Sequence, residues 1–351
     1  MKAWILHGAG DIRYEDADMP QPKTGEVIVA VKAVGICGSD IPRIYKTGAH
    51  IHPLVPGHEF AGQVMEVGEG GDTKWKNKRV GIFPLIPCGN CTACQKRYYE
   101  LCRSYSYLGS RRDGGFAEYA AVPEWNLIEL PDSVSYEEAA MLEPMAVAVH
   151  AMRRAALSGT DTVAVCGLGT IGLLLVMFLL EDERINPLNI LVIGNKDFQK
   201  QTAVKMGIPE NHYCDGRCED VRTWLMEHTC KRGVDVFFEC VGKSETYAQA
   251  VDAMAPAGRI ILTGNPYTDM GLKKETYWKI LRNQLTIAGT WNSSFLHSED
   301  DDWNYVLDRL AGKRILPKEL ITHRLALGNL VDGLKIMSDK TEDYVKIMGV
   351  I

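Results

Sequence analysis

No long hydrophobic run occurs in this chain of 351 residues. The longest apolar stretch, residues 171–180, falls well short of the roughly 20 residues that cross a bilayer, so it is expected to be a buried helix. The opening residues, MKAWILHGAGDIRYED, hold an apolar stretch too short for a secretory signal, which points to the cytoplasm. A basic tract is missing too, and the net charge is -6. An acidic surface repels polyanions, so neither nucleic acid nor an anionic membrane is an expected partner. Internal repeats and low-complexity tracts are also absent.

The composition that remains is that of an ordinary globular protein, 46% hydrophobic and 24% charged. The length suits two domains. Ten cysteines in a large chain without a secretion signal suggest metal binding sooner than a disulfide framework.

The first part reads as β-rich. In EVIVAVKAVGI, residues 26–36, Val27, Val29, Val31 and Ala33 alternate as in a half-buried strand. Shorter runs at 60–67, 79–83 and 116–122 are set off by Gly and Pro, suggesting a partly open barrel. Near Ala148 the pattern changes. The apolar runs TVAVCG, NILVIG, VDVFFEC, GRIILTG and LTIAG alternate with helical stretches, including 217–230 and 244–255. Short, wholly apolar strands separated by helices predict a parallel sheet covered on both faces. The last 60 or so residues lose that alternation and are expected to return to the first domain.

The strand at 162–166 runs into Gly167-Leu168-Gly169-Thr170-Ile171-Gly172 and then into the apolar helix. A lone GxGxxG is weak, but between a strand and a helix it marks a dinucleotide site. Gly167 permits the turn, Gly169 admits a pyrophosphate, and Gly172 allows close packing. Thr170 and Ile171 open the helix whose N-terminus favours the anion. An NAD site normally has an acid at the tip of the next strand to bind the ribose hydroxyls. Here that strand ends in Gly194, Asn195 and Lys196. Room at Gly194 and charge at Lys196 suit a 2′-phosphate, so NADP(H) is expected over NAD(H). Asp197, three residues late, is expected to cap the next helix.

Cys88, Cys91, Cys94 and Cys102 follow the spacing C-x2-C-x2-C-x7-C. Four thiolates around zinc make a closed, structural site. An iron–sulfur cluster fits the same spacing, but nothing else here suggests electron transfer. The other cysteines, Cys37 apart, read as small buried hydrophobes.

Cys37 lies in CGSD and His58-Glu59 in GHEFAG. With the four-cysteine lobe, GGFAEY and GLGTIG, these motifs make the chain resemble the zinc-containing medium-chain dehydrogenases over essentially its whole length. The resemblance implies an α/β protein in two parts: a GroES-like, β-rich catalytic domain (1–147 and 291–351) and a Rossmann domain with a doubly wound parallel sheet (148–290). It implies a catalytic zinc held by Cys37, His58 and Glu143, with Glu59 as a fourth or exchangeable ligand. Glu143, in MLEPMAVAVHA, is similar to the sorbitol dehydrogenase branch, where the alcohol dehydrogenases carry Cys. A zinc with an open position acidifies an alcohol, which then gives hydride to C4 of the nicotinamide. Ser39 is placed to take the alcohol proton. Many relatives finish that relay with a His where this chain has Pro42, so the outer route is open to cofactor ribose, water, Glu59 or another His.

The segments CGSDIPRIYKTGAH, PLIPCGNCTACQK and GSRRDGGFAEYAAV are similar to the galactitol-1-phosphate 5-dehydrogenase group within the family, whose substrates are polyol phosphates. The nearby cations Arg43, His50, Arg111 and Arg112 are therefore candidate substrate residues, since phosphate is recognised by forked arginine donors. Paired arginines otherwise usually form a solvated loop. The expectation is a polyol or polyol-phosphate dehydrogenase, with a threonine or simple secondary-alcohol dehydrogenase as the nearest rival. A non-catalytic dinucleotide-binding relative is disfavoured, because sensing needs no open zinc. A homodimer or homotetramer is expected, with the strand at 285–289 pairing with its twin.

Overall fold

A computed structural model describes residues 1–351. The chain divides into two compact units, Met1–Ala146 with Ser293–Ile351, and Val147–Asn292.

The first unit is built on a seven-stranded sheet. Its order is Ile321–Ala326, Lys346–Val350, Glu26–Ile36, Glu59–Val67, Arg79–Ile82 and Leu127–Glu129, with Tyr119–Pro123 also paired to Glu26–Ile36. The sequence pattern predicted a half-buried strand at 26–36, yet both of its faces are buried. The reason is position. Three strands flank it, and the short helix Tyr136–Ala140 packs against it. Its valines join Phe60, Phe116, Leu330 and Ile347 in one core. Each such side chain contributes about 1.5–3 kcal/mol on burial.

The second unit is a six-stranded, all-parallel sheet. Its spatial order is Tyr213–Asp215, Ile190–Gly194, Val163–Cys166, Val234–Glu239, Met254–Leu262 and Thr286–Gly289. Numbered within the unit this is 3-2-1-4-5-6, the doubly wound order, with its switch point beside Val163–Cys166. The apolar run forms the helix Thr170–Glu181, in which Leu173, Leu174, Leu175, Val176, Phe178 and Leu179 are buried. No helix is long and apolar enough to cross a membrane.

Two helix starts differ from expectation. The helix expected at 217–230 begins at Val221, because the Asp220 carboxylate accepts from Thr223 N and caps it there. Asp197 does not cap the helix Asp197–Lys205. It is the first helical residue, and its carboxylate pairs with Arg217.

Candidate functional site

The metal centre grows out of a strand end. Cys37 follows Ile36, the last residue of the long central strand. The chain then turns back on itself: Cys37 O accepts from Asp40 N, and Asp40 Oδ2 accepts from Cys37 N, both at 3.0 Å. His58 and Glu59 arrive on the neighbouring strand, where Glu59 lies opposite Gly35. The sulfur of Cys37, one imidazole nitrogen of His58 and one carboxylate oxygen of Glu59 lie within 4.8 Å of one another. Tetrahedral zinc bonds of about 2.0–2.3 Å place donor atoms at comparable separations, so this set fits the ion.

Asp40 completes the setting of His58. It is fully buried, and its Oδ1 stands 3.4 Å from His58 Nδ1 and 2.6 Å from Arg43 Nη1. With Nδ1 on the Asp40 side, Nε2 is the ring nitrogen left to serve as a donor to an ion. A carboxylate behind a ligating imidazole fixes its orientation and raises its basicity. Asp40 is the last letter of the CGSD motif, but the sequence reading assigned it no role.

Lys346 was also missed. Its ammonium is buried with 2% of the side chain exposed, pairs with the Glu59 carboxylate, and donates to Ile36 O at 3.2 Å. The cause is the sheet. Gly35 lies opposite Glu59 on one side and Met348 on the other, so side chains from both flanking strands close over it. A Cβ on Gly35 would collide with both Glu59 and Lys346. Burial opposes the charge on Lys346, but Glu59 and Cys37 more than offset this and raise its pKa. The lysine is 287 residues from Glu59, with no local pattern to announce it.

Glu143 enters from the first turn of the helix Leu142–Arg154. Its Oε1 accepts from Tyr107 Oη at 3.3 Å, and the Tyr107 ring lies 5.7 Å from that of His58. Burial, reinforced by Glu59, pushes the Glu143 carboxyl up to about 7, against the opposing pull of His58 and Lys346. Ser39 directs its hydroxyl at Cys37 Sγ, 3.3 Å away.

The four-cysteine lobe stands apart from this centre in character. Sulfur separations are 3.5 Å for Cys91–Cys94 and 3.9 Å for both Cys88–Cys94 and Cys91–Cys102. A tetrahedral zinc–thiolate site has edges of about 3.8 Å, given bonds of about 2.3 Å. Backbone N–H groups of Cys94 and Arg103 draw the Cys91 thiol down to about 6, whereas burial pushes Cys94 up to about 12. The lobe suits an ion that keeps all four thiolates.

In the second unit, a cavity of about 510 Å³ opens at the switch point. Gly167, Gly169, Gly194 and Asn195 line it, with Gly216, Lys243, Glu245 and Thr246, none of the last four foreseen. Gly167 has φ +95°, and a Cβ on Gly172 would fall on the Gly167 carbonyl oxygen. A Cβ on Gly169 would meet nothing within 4 Å, which leaves open space at the N-terminus of the helix begun by Thr170 and Ile171. This is a cradle shaped for a pyrophosphate. At the strand tip, Gln199 Oε1 accepts from Asn195 N at 3.1 Å, and Lys196 lies over the Phe198 ring at 5.3 Å. Lys196 does not line the cavity as it stands.

The expected substrate cations divide. Arg112 is turned away: its guanidinium pairs at 2.6 Å with Glu26, the first residue of the strand that ends before Cys37. Two adjacent arginines can point in opposite senses, and only the fold decides which is free. Arg43 is held by Asp40. Arg111 and His50 are exposed.

A GroES-like β unit with a mixed thiolate, imidazole and carboxylate centre, and a doubly wound parallel sheet with a glycine cradle, define a zinc-binding dehydrogenase architecture. The alcohol dehydrogenase GroES-like domain model matches residues 23–132, and the zinc-binding dehydrogenase model matches residues 171–312. The chain is 32% identical to galactitol 1-phosphate 5-dehydrogenase of Escherichia coli K12 over 92% of both chains. It is 29% identical to sorbitol dehydrogenase of Bacillus subtilis, over 99% of this chain and 96% of the other. The crystal structure of galactitol-1-phosphate dehydrogenase from Escherichia coli superposes with a TM-score of 0.91 at 30% identity, over 100% of both chains. Similar structures include a zinc-binding dehydrogenase from Sinorhizobium meliloti bound to NADP (TM-score 0.88, 27% identical, 100% and 99% covered). Another is an alcohol dehydrogenase from E. coli CFT073 complexed with NADH (TM-score 0.90, 27% identical, 100% and 99% covered). The chain belongs to the zinc-containing medium-chain dehydrogenase family. It is an oxidoreductase of the alcohol and polyol dehydrogenase kind.

Proposed function

We propose that this enzyme transfers a hydride between NADP(H) and a secondary alcohol of a polyol or polyol phosphate. The observation that carries the reading is the convergence of Cys37, His58 and Glu59 within 4.8 Å, with Glu143, outside that set, linked to it through Tyr107. In this reading Cys37, His58 and Glu143 hold the catalytic zinc, with Glu59 as the exchangeable ligand. Cys88, Cys91, Cys94 and Cys102 hold a structural one. The catalytic ion supplies Lewis acidity, which acidifies the alcohol in one direction and polarises the ketone in the other.

The chain's own residues do the remaining work. Asp40 orients His58, and Lys346 holds Glu59 back by offering it a competing positive charge. Ser39, already directed into the centre, accepts the alcohol proton as it passes its own outward, to cofactor ribose, water, Glu59 or another His. A carboxyl rather than a thiol at Glu143 supports a hydroxyl-rich substrate, since the carboxylate and Tyr107 add acceptors and donors that a plain alcohol does not need. The polyol enzymes among the relatives point the same way.

The NADP(H) preference rests on the strand tip. No acid stands at Gly194 or Asn195, and the two nearby carboxylates, Asp197 and Asp215, are both tied up by Arg217. A carboxylate at that tip would repel a 2′-phosphate. Lys196, next along the chain from Asn195, is the nearest cation in sequence to that tip. The catalytic and dinucleotide domains are taken as 1–147 with 291–351, and 148–290, in a cytoplasmic homodimer or homotetramer. The outer edge of Thr286–Gly289 has no neighbour in the sheet, and Tyr277, Trp278 and Leu281 are exposed on the preceding helix.

The test is a panel of polyols, polyol phosphates, L-threonine and simple secondary alcohols, each with NADPH/NADP and NADH/NAD, alongside metal analysis. The expected result is two zincs per chain, turnover of a polyol or its phosphate, and a higher kcat/KM with the phosphorylated cofactor. Preference for NADH would refute the cofactor assignment. Full activity after complete metal removal would refute the whole reading.

A further inference from the structure

We propose that Arg111 and His50 form the anion-binding end of the substrate site, made to take the terminal phosphate monoester of a polyol. This rests on the polyol reading above and narrows it to phosphorylated substrates.

Tyr107 touches the metal centre through Glu143 and His58. The carbonyl of Tyr107 accepts from Arg111 N at 2.9 Å and from Arg112 N at 3.2 Å. The turn that carries Arg111 is therefore closed on a residue of the centre itself. The guanidinium of Arg111 lies over the Tyr105 ring, 4.6 Å from its centroid, and the Tyr105 and Tyr107 rings are 6.1 Å apart. Two aromatic rings thus separate a cation from His58. That spacing suits a chain molecule whose reacting carbinol and anionic group stand at opposite ends.

Charge balance distinguishes Arg111 from its neighbours. Arg112 is neutralised by Glu26 and Arg43 by Asp40. Arg111 has no carboxylate partner, only the Tyr105 face. His50 completes the group from the loop that follows residues 43–47. Its pKa is lowered, first by desolvation and then by the positive charges of Arg111 and Arg43, which places both guanidinium groups within electrostatic reach of the imidazole. A bound dianion supplies the counter-charge that Arg111 lacks and favours the protonated, donating form of His50. The forked guanidinium provides the paired donors that phosphate oxygens accept, and stacking on Tyr105 holds the fork in place.

The experiment uses the zinc-loaded enzyme with a hexitol 1-phosphate, the parent hexitol and an aldonate of the same length. Arg111→Ala and His50→Ala are compared with Arg112→Ala. Charge-assisted hydrogen bonds of about 1.5–3 kcal/mol correspond to about 10- to 150-fold. The kcat/KM ratio of phosphate to parent hexitol is expected to fall by that range in Arg111→Ala, by less in His50→Ala, and not in Arg112→Ala. Equal losses on phosphate and parent in Arg111→Ala overturn the proposal. So does a loss confined to the aldonate, which makes the site a carboxylate site. Calorimetric titration with inorganic phosphate gives a readout independent of turnover. Wild type is expected to bind it and Arg111→Ala at least tenfold more weakly, and equal binding by both overturns the subsite. Should no polyol of any kind be turned over, the parent reading fails, while the phosphate titration still decides the anion site.

Discussion

The two cysteine-bearing centres of this protein are built on opposite plans. The four-thiolate lobe takes all its donors from Cys88 to Cys102, lies partly exposed, and offers nothing but sulfur. The mixed centre gathers Cys37, His58, Glu59, Glu143 and Lys346 from across the catalytic unit, buries all but the half-buried Cys37, and sets a sulfur and two carboxyl groups against a lysine and an imidazole. Four like ligands close a site around an ion that stays. Unlike ligands in mutual competition leave a position that can change hands. Under the proposed function the difference is one of purpose, holding against exchanging, and substitution tests it.

The largest effect separates the centres outright. Cys37→Ser is expected to lower kcat/KM on the order of a thousandfold or more, since Lewis-acid assistance amounts to several kcal/mol, while Tm moves little. Cys91→Ser is expected to do the reverse, lowering Tm by about 10 °C through loss of a structural metal. Residual turnover at low temperature should stay within a few-fold of wild type. If both variants lose stability alike, or both lose only activity, the contrast is void.

Lys346→Met probes the competition itself. Removing one partner of a buried ion pair typically costs about 3–5 kcal/mol. Chelator-treated protein is expected to lose that much in denaturant unfolding, whereas zinc-loaded protein should lose distinctly less, because Glu59 then has the metal to turn to. Identical losses in both forms would show that lysine and metal do not share that carboxylate.

The smallest effect is at Asp40. Asp40→Asn keeps the shape and removes the charge behind His58. A 10- to 100-fold drop in zinc affinity is expected, read by competition with a chromophoric chelator. Unchanged affinity would reduce Asp40 to a turn residue.

How much of this was visible in the sequence follows the same division. The lobe and the glycine motif were legible because their chemistry is local: the ligands or the turn lie within one short segment and carry a fixed spacing. Cys37, His58 and Glu143 were read through family resemblance, since each alone is an ordinary residue in an ordinary setting. Lys346 could not be read at all. A lysine near a chain's end looks like a solvated one until Gly35 is seen to bring two strands together beneath it. Arg111 and Arg112 show the same limit, because neighbours in sequence diverge to Tyr105 and Glu26. The burial of both faces of the central strand was hidden for a related reason, namely that alternation reports side-chain direction and not what covers each side.

The tip of the second strand in the dinucleotide unit bears on any attempt to re-engineer coenzyme use. Introducing an acid at Gly194 would drive its Cβ to 2.6 Å from the Tyr213 hydroxyl and 3.0 Å from Gln199 Oε1. Neither neighbour yields readily: Tyr213 Oη donates to Lys196 O at 3.2 Å, and Gln199 secures Asn195 N. An acidic side chain at this tip is therefore sterically blocked at 194, whereas at 195 an aspartate would replace an amide of nearly equal size.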